Sequence, residues 1–258
     1  MNHANVKNES EAPPSFLALP DGRRIAYHLT EGALPGVIFM GGFKSDMTGA
    51  KALALEAFCK RRGQRFLRFD YTGHGRSSGD FRDGTIGGWR QDALDVIDQL
   101  GASHNILVGS SMGGWLMLLA ALARPGKLAG LVGIASAPDF TEKLIWEQFS
   151  PQQKQVLAEK GEVLLPSCYG EEPYPITRRL IEEGRRHLLL GAPVAIALPV
   201  RLIHGMRDED VPWEFSSRLA ETLQTDDVEL CFIKDGGHRL SDEKHLDILK
   251  KTVEELLA

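Results

Sequence analysis

A set of short, wholly apolar runs, spaced between segments of helical periodicity, constrains this chain more than any other feature. Residues 36–40 (GVIFM), 105–109 (NILVG) and 129–135 (AGLVGIA) hold almost no polar side chain. A strand with one face in water alternates apolar and polar residues, whereas a strand covered on both faces has no reason to. Between these runs, 49–62 aligns Ala50, Leu53, Ala57 and Phe58 in one helical stripe. Residues 86–100 do the same with Ile86, Trp89, Ala93, Val96, Ile97 and Leu100, and 113–123 form an apolar helix stopped by Pro125-Gly126. Further strands are expected at 22–30, after a Pro20-Asp21-Gly22 turn, and at 65–69. Strand and helix in alternation, with buried strands, predict an α/β fold: a mostly parallel central sheet with helices on both faces.

The alternation pauses after Pro138 and resumes with a strand at 200–204, a helix at 213–224, a strand at 228–233 and a helix at 241–257. Residues 139–195 carry helical pieces at 141–160 and 175–190 around a Pro/Tyr/Gly-rich middle, 166–175. This segment reads as a small helical cap inserted over the sheet. The expected organisation is a flexible tail over 1–14, a core from 15–138 and 196–258, and the cap over 139–195.

A chain of 258 residues buries roughly three quarters of its unfolded surface, so it needs no disulfide or metal staple. The formal charge of −5 argues against a nucleic-acid partner, which calls for a basic face. Cys59, Cys168 and Cys231 are too few and too scattered for a disulfide framework or a zinc site, and Cys59 and Cys231 read as core. The longest apolar stretch is broken by Gly191, Pro193, Pro199 and Arg201, so no stable membrane insertion is expected. The first fourteen residues hold one Lys, no Arg and two Glu, unlike a signal peptide or an Arg-rich presequence. A cytoplasmic protein is expected on that ground.

The chemistry centres on Gly109-Ser110-Ser111-Met112-Gly113. The pattern G-x-S-x-G is weak alone, but here it follows a buried strand and opens a helix, the setting of a nucleophile elbow. Ser111 is centred in it; Ser110 is not. A serine hydroxyl is a poor nucleophile until a base takes its proton, and the base needs an orienting carboxylate. Both follow in the order Ser, acid, His. Asp208 lies in the loop after the 200–204 strand, with Glu209 and Asp210 as competing neighbours. His238 lies in the glycine loop after the 228–233 strand. Catalytic groups in such sheets gather at the carboxyl ends of strands, where all three fall.

The developing oxyanion needs preorganised donors. The backbone N–H of Met112 and that of Phe43, in the loop Gly41-Gly42-Phe43-Lys44, are the candidates. His74 is expected to tether its own loop, and Trp89 and Trp115 to fill the core. The apolar cap residues Leu144, Ile145, Trp146, Phe149, Val163, Leu164 and Leu165 suggest an acyl pocket. Arg178, Arg179, Arg185 and Arg186 could meet an acidic leaving group. The chemistry needs no metal and no organic cofactor.

These residues together resemble the α/β-hydrolase superfamily over about residues 20–256: the Gly41-Gly42-Phe43 loop, Asp70 with Gly73-His74-Gly75 and Ser77, the elbow, the Asp208 loop and His238. The closer resemblance is to the family of the mitochondrial acyl-protein thioesterase, also an esterase of mycophenolic acid acyl glucuronide, and its bacterial relatives. The stretch 109–118, Ala123-Arg124-Pro125, His204-Gly-Met-Arg-Asp208, Val211-Pro212-Trp213 and His238-Arg239 carry it. The chain departs at Gly41-Gly42-Phe43, where a member of that family has Pro-Gly-Tyr, and in the residues before His238. The resemblance implies a serine hydrolase of carboxylic esters or S-acyl thioesters, acyl glucuronides included, acting on small-molecule or protein-linked substrates. Other chemistries of the superfamily (peptidase, lipase, carbon–carbon bond hydrolase) and a non-catalytic scaffold are the alternatives.

Overall fold

The computed structural model describes residues 12–166 and 173–258. Its centre is an eight-stranded sheet. The strands in chain order are β1 (Ser15–Ala18), β2 (Arg24–Thr30), β3 (Ala33–Met40), β4 (Gln64–Phe69), β5 (Asn105–Ser110), β6 (Leu128–Ile134), β9 (Val200–Gly205) and β10 (Val228–Ile233). They lie side by side as β1-β2-β4-β3-β5-β6-β9-β10. β1 and β2 are antiparallel to each other, β2 is antiparallel to β4, and every remaining pair is parallel.

The apolar runs are buried on both faces. In β5, Ile106 and Val108 pack with α1 (Ala50–Arg62) and α7 (Glu243–Leu256), through Leu55, Cys59, Leu249 and Val253. Leu107 points to the opposite layer, with α2 (Ile86–Gln99), α3 (Met112–Ala123) and α6 (Glu214–Thr222). Each such side chain contributes about 1.5–3 kcal/mol by leaving water, so the central strands keep no polar alternate position. Trp89 and Trp115 are core residues, as expected, and their indole N–H groups donate to the carbonyls of Thr72 and His187 at 3.0 Å.

Four elements depart from expectation. The edge strand β1 is four residues long, too short for its alternation to stand out. The edge strand β10 leaves Cys231 exposed rather than in the core, since its outer side has no neighbour. The segment between β6 and β9 is not purely helical. It runs through a π-helical turn (Thr141–Trp146), α4 (Pro151–Lys160), an antiparallel pair β7 (Glu162–Leu165) and β8 (Tyr174–Thr177), and α5 (Arg178–Gly184). Residues 174–177, expected as helix, form β8, and the helix begins only after the Thr177 side chain caps Leu180 N–H. Cys168 and much of the Pro/Tyr/Gly-rich middle lie outside the described residues, as do residues 1–11 of the expected tail.

The two ends of this inserted segment are stitched at one residue. Asp139, at φ +60, accepts the N–H groups of Leu189 and Leu190 at 2.8 and 2.9 Å. Glu183 accepts the Gly87 N–H at 2.9 Å and ties α5 to α2.

Candidate active site

Ser111 stands at the break between β5 and α3 with φ +54 and ψ −118. A side chain in that region costs about 1–3 kcal/mol, so the surroundings must hold it. Ser111 N–H donates to the Ile134 carbonyl at 2.9 Å, and its own carbonyl accepts from Gly114 and Ala137 at 2.9 and 3.1 Å. The motif glycines are required by contact. A Cβ on Gly109 would lie 2.4 Å from the Gly113 carbonyl oxygen, and one on Gly113 would lie 2.1 Å from that of Met40. A helix-capping serine ordinarily spends its hydroxyl on the helix N–H groups. Ser111 makes no such bond, so its hydroxyl is available to another partner.

That partner is His238. Ser111 Oγ lies 3.1 Å from His238 Nε2, and His238 Nδ1 lies 2.7 Å from Asp208 Oδ2. With Nδ1–H donating to the carboxylate, Nε2 carries the lone pair that accepts the serine proton. The Asp208 side chain is buried and its acceptor sites are occupied. Oδ1 accepts the N–H groups of Asp210 and Val211 at 3.0 and 2.8 Å. Oδ2 receives a second imidazole as well, His204 Nε2 at 3.2 Å. Burial by itself would raise the Asp208 pKa. The hydrogen bonds from His204 and His238, the His238 charge and the Val211 N–H outweigh it and hold the carboxyl well below the usual carboxylate range.

His204 is a residue that sequence order passed over because it precedes the acid on its own strand. Its Nδ1 takes the Ser216 hydroxyl at 2.7 Å, and its Nε2–H is shared between Asp208 and the Val211 carbonyl at 3.0 Å. The spacing His204 to Asp208 spans one strand end and one turn, and nothing in that spacing signals a shared oxygen. One donor atom from each of Asp208, Asp210 and His238 falls within 4.8 Å of the others. The lone pairs of Asp208 are already spent on four N–H groups, which leaves this cluster poorly suited to a cation.

The Gly41-Gly42-Phe43-Lys44 loop packs against the serine from the other side. A Cβ on Gly42 would touch Ser111 Cβ at 3.4 Å, so the loop backbone lies directly over the elbow. Among the described residues, no acceptor takes the N–H of Phe43 or of Met112. Two amide donors near the elbow are thus without an acceptor, one in the loop over Ser111 and one in the first turn of α3, where helix N–H groups have no partner of their own.

A cleft of about 580 Å³ opens over Ser111 and His238. One wall is apolar, from Phe140, Leu144, Ile145, Leu165, Tyr174 and Ile176. Of the other cap residues expected to form an acyl pocket, Phe149 and Val163 are buried in the core and Leu164 is exposed. The cleft is also lined by the cationic side chains Lys44, Lys51 and Arg239, Lys44 beside the Tyr174 ring. Lys51, on the first turn of α1, donates to the Arg239 carbonyl. Burial first, and the nearby Arg239 charge second, bring its pKa down to about 8, against a smaller opposing pull from Asp208. Arg178, Arg179, Arg185 and Arg186 do not line this cleft. Arg185 pairs with Glu142 and lies over Trp146, Arg178 pairs with Glu182, and Arg179 borders a separate depression beside Arg23. Arg178 and Arg179 lie on α5 and Arg185 on the turn that follows it, while the cations that do line the cleft flank the expected motifs.

Comparison with known proteins follows the same outline. The model of the alpha/beta hydrolase family matches residues 37–249. The mitochondrial palmitoyl-protein thioesterase ABHD10 of Bos taurus is 42% identical over 244 residues, covering 94% of this chain and 79% of that protein. The solved alpha/beta hydrolase domain-containing protein 10 from mouse is 41% identical, covers 95% of this chain and 98% of its own, and superposes with a TM-score of 0.89. A hydrolase structure from Agrobacterium vitis is 38% identical, covers 95% and 100% of the two chains, and gives a TM-score of 0.91. The cytoplasmic expectation is overturned here. It rested on the make-up of the first fourteen residues, whereas five mammalian relatives at 42% identity are all named as mitochondrial. Among the described residues no helix is long and apolar enough to cross a membrane. By these matches the chain is a hydrolase and belongs to the alpha/beta hydrolase family.

Proposed function

We propose that this hydrolase cleaves S-acyl thioesters and carboxylic esters, acyl glucuronides among them, through an acyl-Ser111 intermediate. The observation that carries the reading is the continuous hydrogen-bond chain Ser111 Oγ, His238 Nε2, His238 Nδ1, Asp208 Oδ2, at 3.1 and 2.7 Å. His238 Nε2 takes the Ser111 proton as Oγ bonds to the acyl carbon. The carbonyl oxygen becomes an anion facing the Phe43 and Met112 N–H groups. As the tetrahedral adduct collapses, the C–S or C–O bond breaks and His238 returns the proton to the departing sulfur or oxygen. Water then repeats the sequence, with His238 as base, and releases the acid. Asp208, held anionic, keeps the tautomer and stabilises the imidazolium.

The apolar wall under residues 139–195 supports an acyl-chain site, with that segment serving as a cap on a core of 15–138 and 196–258. The cationic side chains lining the cleft support an acidic leaving group such as a glucuronate, and the relatives named as palmitoyl-protein thioesterases support S-acyl substrates. The experiment is hydrolysis of p-nitrophenyl esters of increasing chain length, an S-acyl peptide and an acyl glucuronide, by wild type and Ser111→Ala, with mass spectrometry of the quenched enzyme. The expected result is an acyl adduct on Ser111 and a loss of about 10⁴–10⁶-fold in the variant, as elbow-serine losses give. Turnover that survives in Ser111→Ala, or an adduct on another residue, defeats the assignment.

A further inference from the structure

The loop over Ser111 is a turn under strain. Gly42 O accepts both Ser45 N–H at 3.2 Å and Ser45 Oγ–H at 2.8 Å, which closes a four-residue turn and fixes the peptide that carries the Phe43 N–H. Lys44, third in that turn, sits at φ +54. Turns of this shape place glycine or asparagine there, because a Cβ is unfavourable at positive φ. A lysine at this position needs an external hold.

The hold comes from another loop. Lys44 N–H donates to His74 Nε2 at 3.1 Å, and His74 Nδ1 lies 3.2 Å from the Thr72 carbonyl. A carbonyl only accepts, so Nδ1 carries the hydrogen and Nε2 the lone pair, as the Lys44 bond requires. The ring is buried among Tyr71, Phe81 and Trp89, at centroid distances of 5.7, 5.1 and 5.1 Å, all edge-on. The Phe43 ring occupies the same box, 4.9 Å from Phe81 and 5.9 Å from Trp89. The loop that presents His74 is tight for its own reason. Gly75 is at φ +45, and a Cβ there would lie 2.2 Å from Asp70 Oδ2. His74 thus does more than tether its own loop.

We propose that His74 is a positioning residue for hydrolysis: by accepting the Lys44 amide hydrogen it keeps the Gly42–Ser45 turn in the shape that aims the Phe43 N–H at the oxyanion. The inference rests on the reading of the Phe43 N–H as an oxyanion donor. His74 touches no reacting atom and acts through the backbone alone. Burial keeps it neutral, its pKa pushed down to about 4, so the accepting lone pair persists at neutral pH.

The test compares His74→Phe, which removes the acceptor, with His74→Gln, which can restore one, each in wild-type and Lys44→Gly backgrounds. Steady-state kinetics on a p-nitrophenyl ester, affinity for a trifluoromethyl ketone and thermal melting are read for every variant. His74→Phe should lower kcat by about 10–100-fold, a fraction of what a whole oxyanion donor is worth, with KM changed less than about twofold. Ketone affinity should fall in step with kcat, because the hemiketal anion uses the same donors. His74→Gln should recover most of the loss. In the Lys44→Gly background the loss should shrink to a few-fold, since glycine takes positive φ without help. Equal losses in both backgrounds, or a kcat unchanged by His74→Phe in a folded protein, overturn the inference. A wild type that the ketone does not inhibit overturns the oxyanion reading itself, and the inference with it. Should His74→Phe not fold, His74→Leu makes the same comparison.

Discussion

The two sides of Ser111 are built by different means. On one side, His238 and Asp208 reach the serine with side chains mounted on loops after adjacent strands, β10 and β9. On the other, the Gly42–Ser45 turn reaches it with backbone, and the side chains that shape the turn, Ser45 and His74, point elsewhere. Sheet order sets the first side, since parallel strands in register deliver their loop residues to one edge. Hydrogen bonds between loops set the second, and each is worth only about 1 kcal/mol. The side-chain arm is therefore expected to fail abruptly under mutation, and the backbone arm by degrees.

The sharpest break on the side-chain arm is Asp208→Asn. It preserves shape but offers an amide to two imidazole N–H groups, so His238 is pushed toward the wrong tautomer. We expect kcat to fall by about 10⁴-fold with the melting curve much less affected. Activity within tenfold of wild type would mean that Asp208 does not orient His238.

The backbone arm has its own large term, in stability rather than rate. His74 has a folded pKa of about 4 against an ordinary value of 6.5. As pH falls from 7 toward 4, the unfolded chain binds a proton there that the folded chain refuses, so stability drops. The drop amounts to about 3 kcal/mol and is complete near the folded value. Denaturant melts at pH 7 and pH 4 should show His74→Gln losing less stability than wild type over that interval. Parallel losses would show that the histidine is not held neutral.

Smaller still, Ser45→Ala removes one of two bonds on the Gly42 carbonyl and leaves the amide bond in place. It should lower kcat by about tenfold, less than the 10²–10³ typical of a whole oxyanion donor. A loss as large as that of Asp208→Asn would erase the contrast between the two arms. The least expected effect is that of Lys51→Met. It should raise KM for an acyl glucuronide by about 3–10-fold, an increment in the range of one ordinary net hydrogen bond, and leave neutral esters unchanged. Equal effects on both substrates would assign Lys51 to holding the Arg239 carbonyl rather than to the leaving group.

The same contrast explains what was legible in the sequence. The central strands and the helices between them could be read because burial on both faces leaves a continuous apolar run. Ser111, Asp208 and His238 could be singled out because side-chain chemistry needs particular residue types in a particular order, and the structure brings those three together. Phe43 and Met112 could be named only as backbone positions. Their supports could not be found, because Ser45 and His74 are ordinary residue types, 29 positions apart, meeting through one turn. Details of the segment between β6 and β9 failed for a related reason. In Tyr174-Pro-Ile-Thr177, strand pairing with β7 prevails over the helical reading of 175–190, and Arg178 on α5 and Arg185 just after it pair with Glu182 and Glu142. Lys51 and Arg239 reach the cleft from positions beside familiar motifs, where sequence offers only an unremarkable surface charge.

The Phe43 ring also lies 5.5 Å from Phe140 and 6.0 Å from Tyr174, and the Lys44 ammonium reaches the Pro173 carbonyl at 3.3 Å. On the proposed reading, one dipeptide contributes both an amide to the reacting centre and part of the wall that a bound chain would meet. Widening the cleft at Phe43 would loosen the amide in the same stroke, so substrate range and turnover cannot drift independently there. Leu144, Ile145 and Leu165 carry no such double duty, and divergence in acyl-chain preference between relatives should accumulate at those positions, while position 43 and its neighbours stay tied to the rate.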